Sequence, residues 1–134
     1  MPVLRDELIG LRSADDIIKA RQLVRDCAIF QGLSLVDQTK LVTAASELAR
    51  NTLIHGGGGE MRLQALNDGS RRGVKAIFVD TGPGIPDIEL AMKDGYTTRG
   101  GLGLGLSGSK RLVNEFEIQS QPGKGTAVSI VRWK

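Results

Sequence analysis

Apolar residues recur along this chain with two different periods, and the places where the period changes divide it into elements. Residues 3–12 mix apolar and charged positions and predict a first strand. Ser13 then opens a capping box with Asp16, and Ile17, Ala20, Val24, Cys27 and Ala28 recur at helical spacing, with Gly32 as the stop. A second box, Ser34 with Asp37, starts a longer helix through Leu41, Ala44, Ala45, Leu48 and Ile54, closed by Gly56. Met61 to Ala65 alternates like a half-buried strand, Asn67-Asp68-Gly69 supplies a turn, and Val74 to Val79 alternates again, which predicts a hairpin. Thr81 to Pro86 reads as a loop. A short helix around Asp87–Lys93 follows, then a second loop through Gly101, and then a helix over 104–116 with Lys110 and Arg111 pointing outwards. Two strands, 118–121 and 126–133, end the chain, joined at Pro122-Gly123-Lys124-Gly125.

Two predicted hairpins argue against an all-parallel doubly wound sheet. The pattern fits an α+β fold, a two-layer α/β sandwich whose mixed, largely antiparallel sheet carries its helices on one face. No repeat, linker or low-complexity stretch divides the chain, and 134 residues at 14.3 kDa suit one domain over 1–134.

Composition narrows the function by exclusion. The chain is 40% hydrophobic and 25% charged, with a mean hydropathy of −0.10 and a net charge of +3. The small basic surplus is scattered, so no stripe for phosphate-backbone binding is visible and no nucleic-acid partner is expected. One cysteine, Cys27, rules out an internal disulfide or a multi-thiolate metal site. A single histidine, His55, rules out the paired-histidine zinc motifs. No apolar run approaches the ~20 residues of a membrane span, and the first residues do not read as a signal peptide. The expectation is a cytoplasmic protein with no membrane partner.

Glycine is the exception to an ordinary composition. Eighteen glycines in 134 residues is about twice the usual share. They cluster, with eight between Gly82 and Gly108 and four in Gly56-Gly57-Gly58-Gly59, which suggests backbone brought close to a ligand. Three familiar motifs nearly appear around residue 105. Gly103-x-Gly105-x-x-Gly108 lacks the preceding strand of a dinucleotide fingerprint. Gly103-x4-Gly108-Ser109-Lys110 inverts the end of a P-loop, and Gly105-Leu106-Ser107-Gly108 misses the nucleophile elbow because position 109 is serine. The loop retains one simple capacity: consecutive glycines leading into a helix present N–H groups to phosphate.

Two further groups carry chemistry. Glu47, Asn51 and His55 are spaced i, i+4, i+8 and share one helix face, opposite Leu41, Ala45 and Leu48. By itself that is an ordinary polar face, but an amide oxygen can ligate a hard cation while a nearby carboxylate accepts a proton. Asp80 ends an apolar strand just before Thr81-Gly82-Pro83-Gly84-Ile85-Pro86. It reads either as a turn-capping aspartate or as the acceptor for an exocyclic amine, with glycines letting a flat base approach.

Taken together, Glu47-x-x-x-Asn51, Asp80-x-Gly82-x-Gly84 and Gly101-x-Gly103-x-Gly105 resemble the N, G1 and G2 boxes of the GHKL ATPases, over nearly the whole chain. Within that superfamily the chain is most similar to the small RsbT-type serine kinases of bacterial stressosomes, through Ser46–Asn51, Asp80–Ile88, and Gly100–Leu106 with Lys110-Arg111-Leu112. The resemblance implies a Bergerat ATP-binding fold and ATP or ADP with Mg²⁺ as cofactors. Asn51 would ligate Mg²⁺, Asp80 would bond the adenine amine, and Gly82, Gly84 and Ile85 would admit the purine. Gly100, Gly101, Leu102, Gly103, Leu104, Gly105 and Leu106 would wrap the phosphates beneath a short lid over about 87–100. Thr126 would reach the adenine through water. Glu47 would orient or deprotonate the hydroxyl of a partner. Arg99 and Lys110 are open between phosphate neutralisation and solvated surface, and His55 is read as complementing the dipole at the helix C-terminus. The implied partners are STAS-domain antagonists of the RsbS and RsbR kind, with a PP2C-type phosphatase as a second target. Two alternatives stand beside the kinase: an RsbW-like anti-sigma kinase that holds a sigma factor, and a nucleotide-gated adaptor without catalysis.

Overall fold

The computed structural model describes residues 3–85, 87–93 and 105–134. The described elements run β1 (Val3–Leu11), α1 (Ala14–Phe30), α2 (Leu35–Ile54), β2 (Gly59–Asn67), β3 (Arg72–Asp80), α3 (Ile88–Ala91), α4 (Gly105–Arg111), β4 (Glu115–Gln121) and β5 (Gly125–Trp133). The strands form one sheet in the order β1-β2-β3-β5-β4. Its four described ladders are all antiparallel, so the expected mixed, largely antiparallel sheet is antiparallel wherever it is described.

Local signals explain the helix ends. Ser34 caps α2, its Oγ accepting the Asp37 N–H at 3.1 Å. Ser13 occupies the N-cap of α1 without a side-chain cap bond, and Asp16 instead accepts the Arg12 N–H at 2.8 Å. The exit from α1 is a left-handed glycine, Gly32 at φ 79°. There the Leu33 N–H reaches back to the Ala28 carbonyl and the Gly32 N–H to that of Ile29, closing the helix in a Schellman motif.

The core lies between the sheet and the helices. Met61, Leu63, Val74, Ala76, Phe78 and Ile130 face Val24, Leu41, Ala45 and Leu48 and are almost fully buried. Cys27 belongs to this core, and burial pushes its thiol up to about 11, which leaves it protonated and unreactive at neutral pH. Gln31 is buried as well and ties α1 to the sheet, donating from Nε2 to the Leu66 and Gly73 carbonyls at 2.6 and 2.8 Å. On the opposite face Leu66, Val131 and Trp133 form a small second cluster, with the Arg71 guanidinium 4.0 Å from the Trp133 ring.

One expected boundary moves. The helix predicted over 104–116 ends at Arg111, and Glu115–Gln121 is strand. Phe116 pairs with Ile130, and the Asn114 N–H bonds the Val131 carbonyl, so strand pairing overrides a helical spacing that continued through Val113. Among the described residues no helix is long and apolar enough to cross a membrane.

Candidate functional site

The end of β3 is where the chain departs from regular packing. Asp80 is the last residue of that strand, paired with Gly59 of β2 and Thr126 of β5. Its Oδ1 accepts the Gly82 N–H at 2.9 Å and the Thr126 N–H at 3.3 Å. Oδ2 has no hydrogen bond from the described residues and stays available to a ligand.

Glycines make room for this carboxylate. A Cβ on Gly56, just beyond α2, would fall inside the Asp80 side chain, and one on Gly125 would strike the Asp80 carbonyl. A Cβ on Gly82 would lie 2.7 Å from the Gly56 Cα, so the loop after β3 crosses the end of α2 backbone to backbone. Gly84, at φ 79°, packs against the Gln121 carbonyl of the β4–β5 hairpin. Gly82 and Gly84 thus have a structural cause of their own, which the glycine pattern alone did not reveal.

The same loop is fastened at two further points. The Ile85 N–H donates to Ser120 Oγ at 2.7 Å, and the Gly123 N–H donates to the Pro83 carbonyl at 2.7 Å. Ser120 Oγ also lies 2.8 Å from Thr126 Oγ1 and donates to the Gly125 carbonyl at 3.1 Å. Ser120 and Gly125 are site residues that sequence reasoning missed, and Gly56 stood out only as part of a glycine run and a helix stop, not as the neighbour of Asp80. Their importance arises from contacts between segments far apart in the chain, although the Gly125 turn was visible.

Between α2, the end of the sheet, α3 and α4 lies a cavity of about 320 Å³. Its walls are mostly apolar, with Leu48, Phe78, Ile85, Leu106 and Val128, while Asn51, His55, Asp80 and Thr126 supply polar groups. Asn51 Oδ1 and His55 Nε2 are both buried and have no hydrogen-bond partner among the described residues. An orphaned amide oxygen suits a hard cation, which takes oxygen ligands and completes its shell from phosphates and water. Asn51 therefore passes the chemical test for the magnesium role.

The predicted residues do not all meet in one wall. Asn51, Asp80, Gly84, Ile85, Gly105, Leu106 and Thr126 line the cavity, and Gly82 stands behind it. Glu47 lies one helical turn before Asn51 but is almost fully buried and is not among the lining side chains. His55, expected to complement the helix dipole, lines the cavity as well. Lys110 is exposed on α4. Gly100, Gly101, Leu102, Gly103, Leu104 and Arg99, with Pro86 and the later part of the expected lid, lie outside the described residues.

Comparison with known proteins gives this arrangement a context. The profile of the family described as histidine kinase-, DNA gyrase B- and HSP90-like ATPases matches residues 36–134. The serine/threonine-protein kinase RsbT of Bacillus subtilis (strain 168) is 47% identical over 118 residues, covering 88% of this chain and 89% of that protein. An anti-sigma F factor of Thermoanaerobacter sp. (strain X514) is 32% identical over 133 residues, covering 95% and 92%. Among solved structures, the RsbU and RsbW domains of a Mycobacterium tuberculosis protein superpose with a TM-score of 0.65 at 21% identity, covering 98% of this chain and 32% of that one. The Pseudomonas aeruginosa SiaB-SiaC complex gives a TM-score of 0.54 at 15% identity, covering 98% and 91%. These two likenesses concern the fold.

Proposed function

This chain belongs to the histidine kinase-, DNA gyrase B- and HSP90-like ATPases, and on that premise we propose how its site works and on what it acts. With RsbT as a relative at 47% identity, it is an ATP-binding serine/threonine-protein kinase. The proposal is that the whole of 1–134 acts as one ATP-binding unit in the cytoplasm and phosphorylates a hydroxyl on a STAS-domain antagonist protein. A PP2C-type phosphatase is the second, non-covalent target.

The observation that carries the reading is a single cavity with an open carboxylate oxygen at Asp80 and an orphaned amide oxygen at Asn51. Asp80 Oδ2 accepts the amine of adenine, while Oδ1 keeps the glycine loop and β5 in place. Leu48, Phe78, Ile85 and Val128 remove the flat base from water. Thr126 reaches the base edge, and Asn51 holds the cation. When bound, Mg²⁺ neutralises phosphate charge. Gly105 and Leu106, with the glycines before them, close on the phosphates.

Glu47 takes the proton. As the partner hydroxyl oxygen bonds to the γ-phosphorus, the bond from phosphorus to the β,γ-bridging oxygen breaks, ADP leaves, and the hydroxyl proton passes to the Glu47 carboxylate. What supports this role is the place of Glu47 on α2, one helical turn before Asn51.

The test is transfer of labelled phosphate from ATP to purified STAS proteins. Wild type is expected to label a serine or threonine. Glu47→Ala should lose about 10²–10⁴-fold in rate while binding ATP nearly as well. Transfer at the wild-type rate would remove Glu47 from the role. Absence of transfer by wild type would favour the nucleotide-gated adaptor. The likeness to anti-sigma F factors supports a second reading, and co-elution with a sigma factor would select it.

A further inference from the structure

His55 follows α2 on the cavity wall, one turn beyond Asn51 and next to Gly56, which lies against Asp80. Of the polar side chains in that wall, Thr126 Oγ1 is engaged with Ser120, and Thr52 Oγ1 donates to the Leu48 carbonyl at 2.9 Å. Asp80 Oδ1 accepts two backbone N–H groups. Among the described residues, two buried atoms in the wall lack partners, Asn51 Oδ1 and His55 Nε2. The first is accounted for by a cation. The second calls for another ligand atom, because a buried ring nitrogen gives up its hydrogen bond to water and needs a replacement. Complementing the helix dipole would not supply one.

We propose that His55 Nε2 hydrogen-bonds the ribose of the bound nucleotide and makes the site prefer a ribonucleotide over its deoxy counterpart. The proposal rests on the nucleotide reading above. A nucleotide is a fixed succession of amine-bearing base, sugar and phosphates. With the amine at Asp80 and the phosphates at Asn51, the stretch of wall between them meets the sugar. His55 occupies that stretch: at ~1.5 Å of rise per residue it stands about 6 Å along α2 from Asn51, in the direction of Asp80. A ribose hydroxyl both donates and accepts, so it satisfies Nε2 whether that nitrogen carries its hydrogen or a lone pair.

Calorimetric titration of the full chain with ATP, 2′-deoxy-ATP and 3′-deoxy-ATP in the presence of Mg²⁺ tests this. Wild type should bind ATP about 3- to 10-fold more tightly than at least one deoxy analogue, the worth of one hydrogen bond. His55→Phe should bring the three affinities together with the circular dichroism and melting temperature of wild type. His55→Ala reads the same way if the larger ring disturbs the fold. His55→Gln, whose amide nitrogen lies near the place of Nε2, should restore part of the discrimination, which a purely structural role for the ring would not produce. Equal affinities in wild type, or the wild-type ratio persisting in both His55→Phe and His55→Ala, would overturn the sugar contact. Failure of wild type to bind any of the three would overturn the nucleotide reading itself, a separate and recognisable result.

Discussion

Gly56 and Asp80, 24 positions apart in the chain, lie so close that the first has no room for a side chain while the second keeps its carboxylate. The end of α2 thereby fixes the direction of the carboxylate that closes the β3 end of the cavity.

Gly56→Ala is therefore expected to turn Asp80 away. Overpacking of this kind costs about 1–3 kcal/mol of stability, and nucleotide affinity should fall about as far as when the carboxylate itself is altered. A double-mutant cycle checks the cause. In an Asp80→Gly background the same change at Gly56 should cost much less stability by thermal melting, because the Cβ, Cγ and Oδ2 it would strike have all gone.

Asp80→Asn separates the two oxygens. The remaining carbonyl oxygen still accepts the Gly82 and Thr126 N–H groups, so the loop should hold, while an amide nitrogen now meets the adenine amine. Losing a charge-assisted hydrogen bond costs about 1.5–3 kcal/mol, or roughly ten- to a hundredfold in affinity. ATP and ADP should weaken alike in calorimetry. Unchanged affinity in a folded variant would place the base elsewhere.

Asn51→Ala removes the orphaned amide oxygen. Affinity for ATP with Mg²⁺ should fall well beyond affinity for ATP in chelator, since the lost contact passes through the cation. Equal losses under the two conditions would make the amide structural.

Acid stability provides a test away from the site. The hydrogen bond from Arg132, 2.6 Å from Asp37 Oδ1, holds the Asp37 carboxyl below its ordinary 3.8, with the Arg132 charge adding to the effect. A lowered folded-state value means that the unfolded chain takes up this proton first. The stabilisation is complete above the ordinary value and is lost as pH falls through the lowered one. Asp37→Asn should thus reduce stability at neutral pH by ~1 kcal/mol, given the partial exposure of the pair. The deficit relative to wild type should shrink below about pH 4, as thermal melts across pH 3–7 would show.

What the sequence disclosed, and what it did not, follows from the range of the interactions concerned. The cap at Ser34, the exit at Gly32 and the hairpin around Asn67-Asp68-Gly69 are written within a few residues and lie where the pattern predicts, whereas Ser13 holds its N-cap position without the expected side-chain bond. The helix expected over 104–116 overruns the end of α4 because Val113 and Phe116 continue a helical spacing. A strand signal was nevertheless present: Phe116 and Ile118 are partly buried while Glu115, Glu117 and Gln119 are exposed, a period of two. In the site, residue types with their own chemistry, Asn51 and Asp80, stood out. The contacts of Gly56, Gly125 and Ser120 did not, since a close approach between distant segments leaves no local pattern beyond the glycine run itself.

The strand order β1-β2-β3-β5-β4 places β5 between two strands that precede it in the chain. Thr126 and Gly125, which brace Asp80, thus belong to the last of the five strands to leave the ribosome. A nascent chain halted before this point has its α2 amide and its β3 carboxylate but lacks the strand that braces them together. Ligand binding is consequently a report that synthesis has passed β5, and shortening the protein from its C-terminal side into that strand should silence the site well before it removes any group that touches the phosphates.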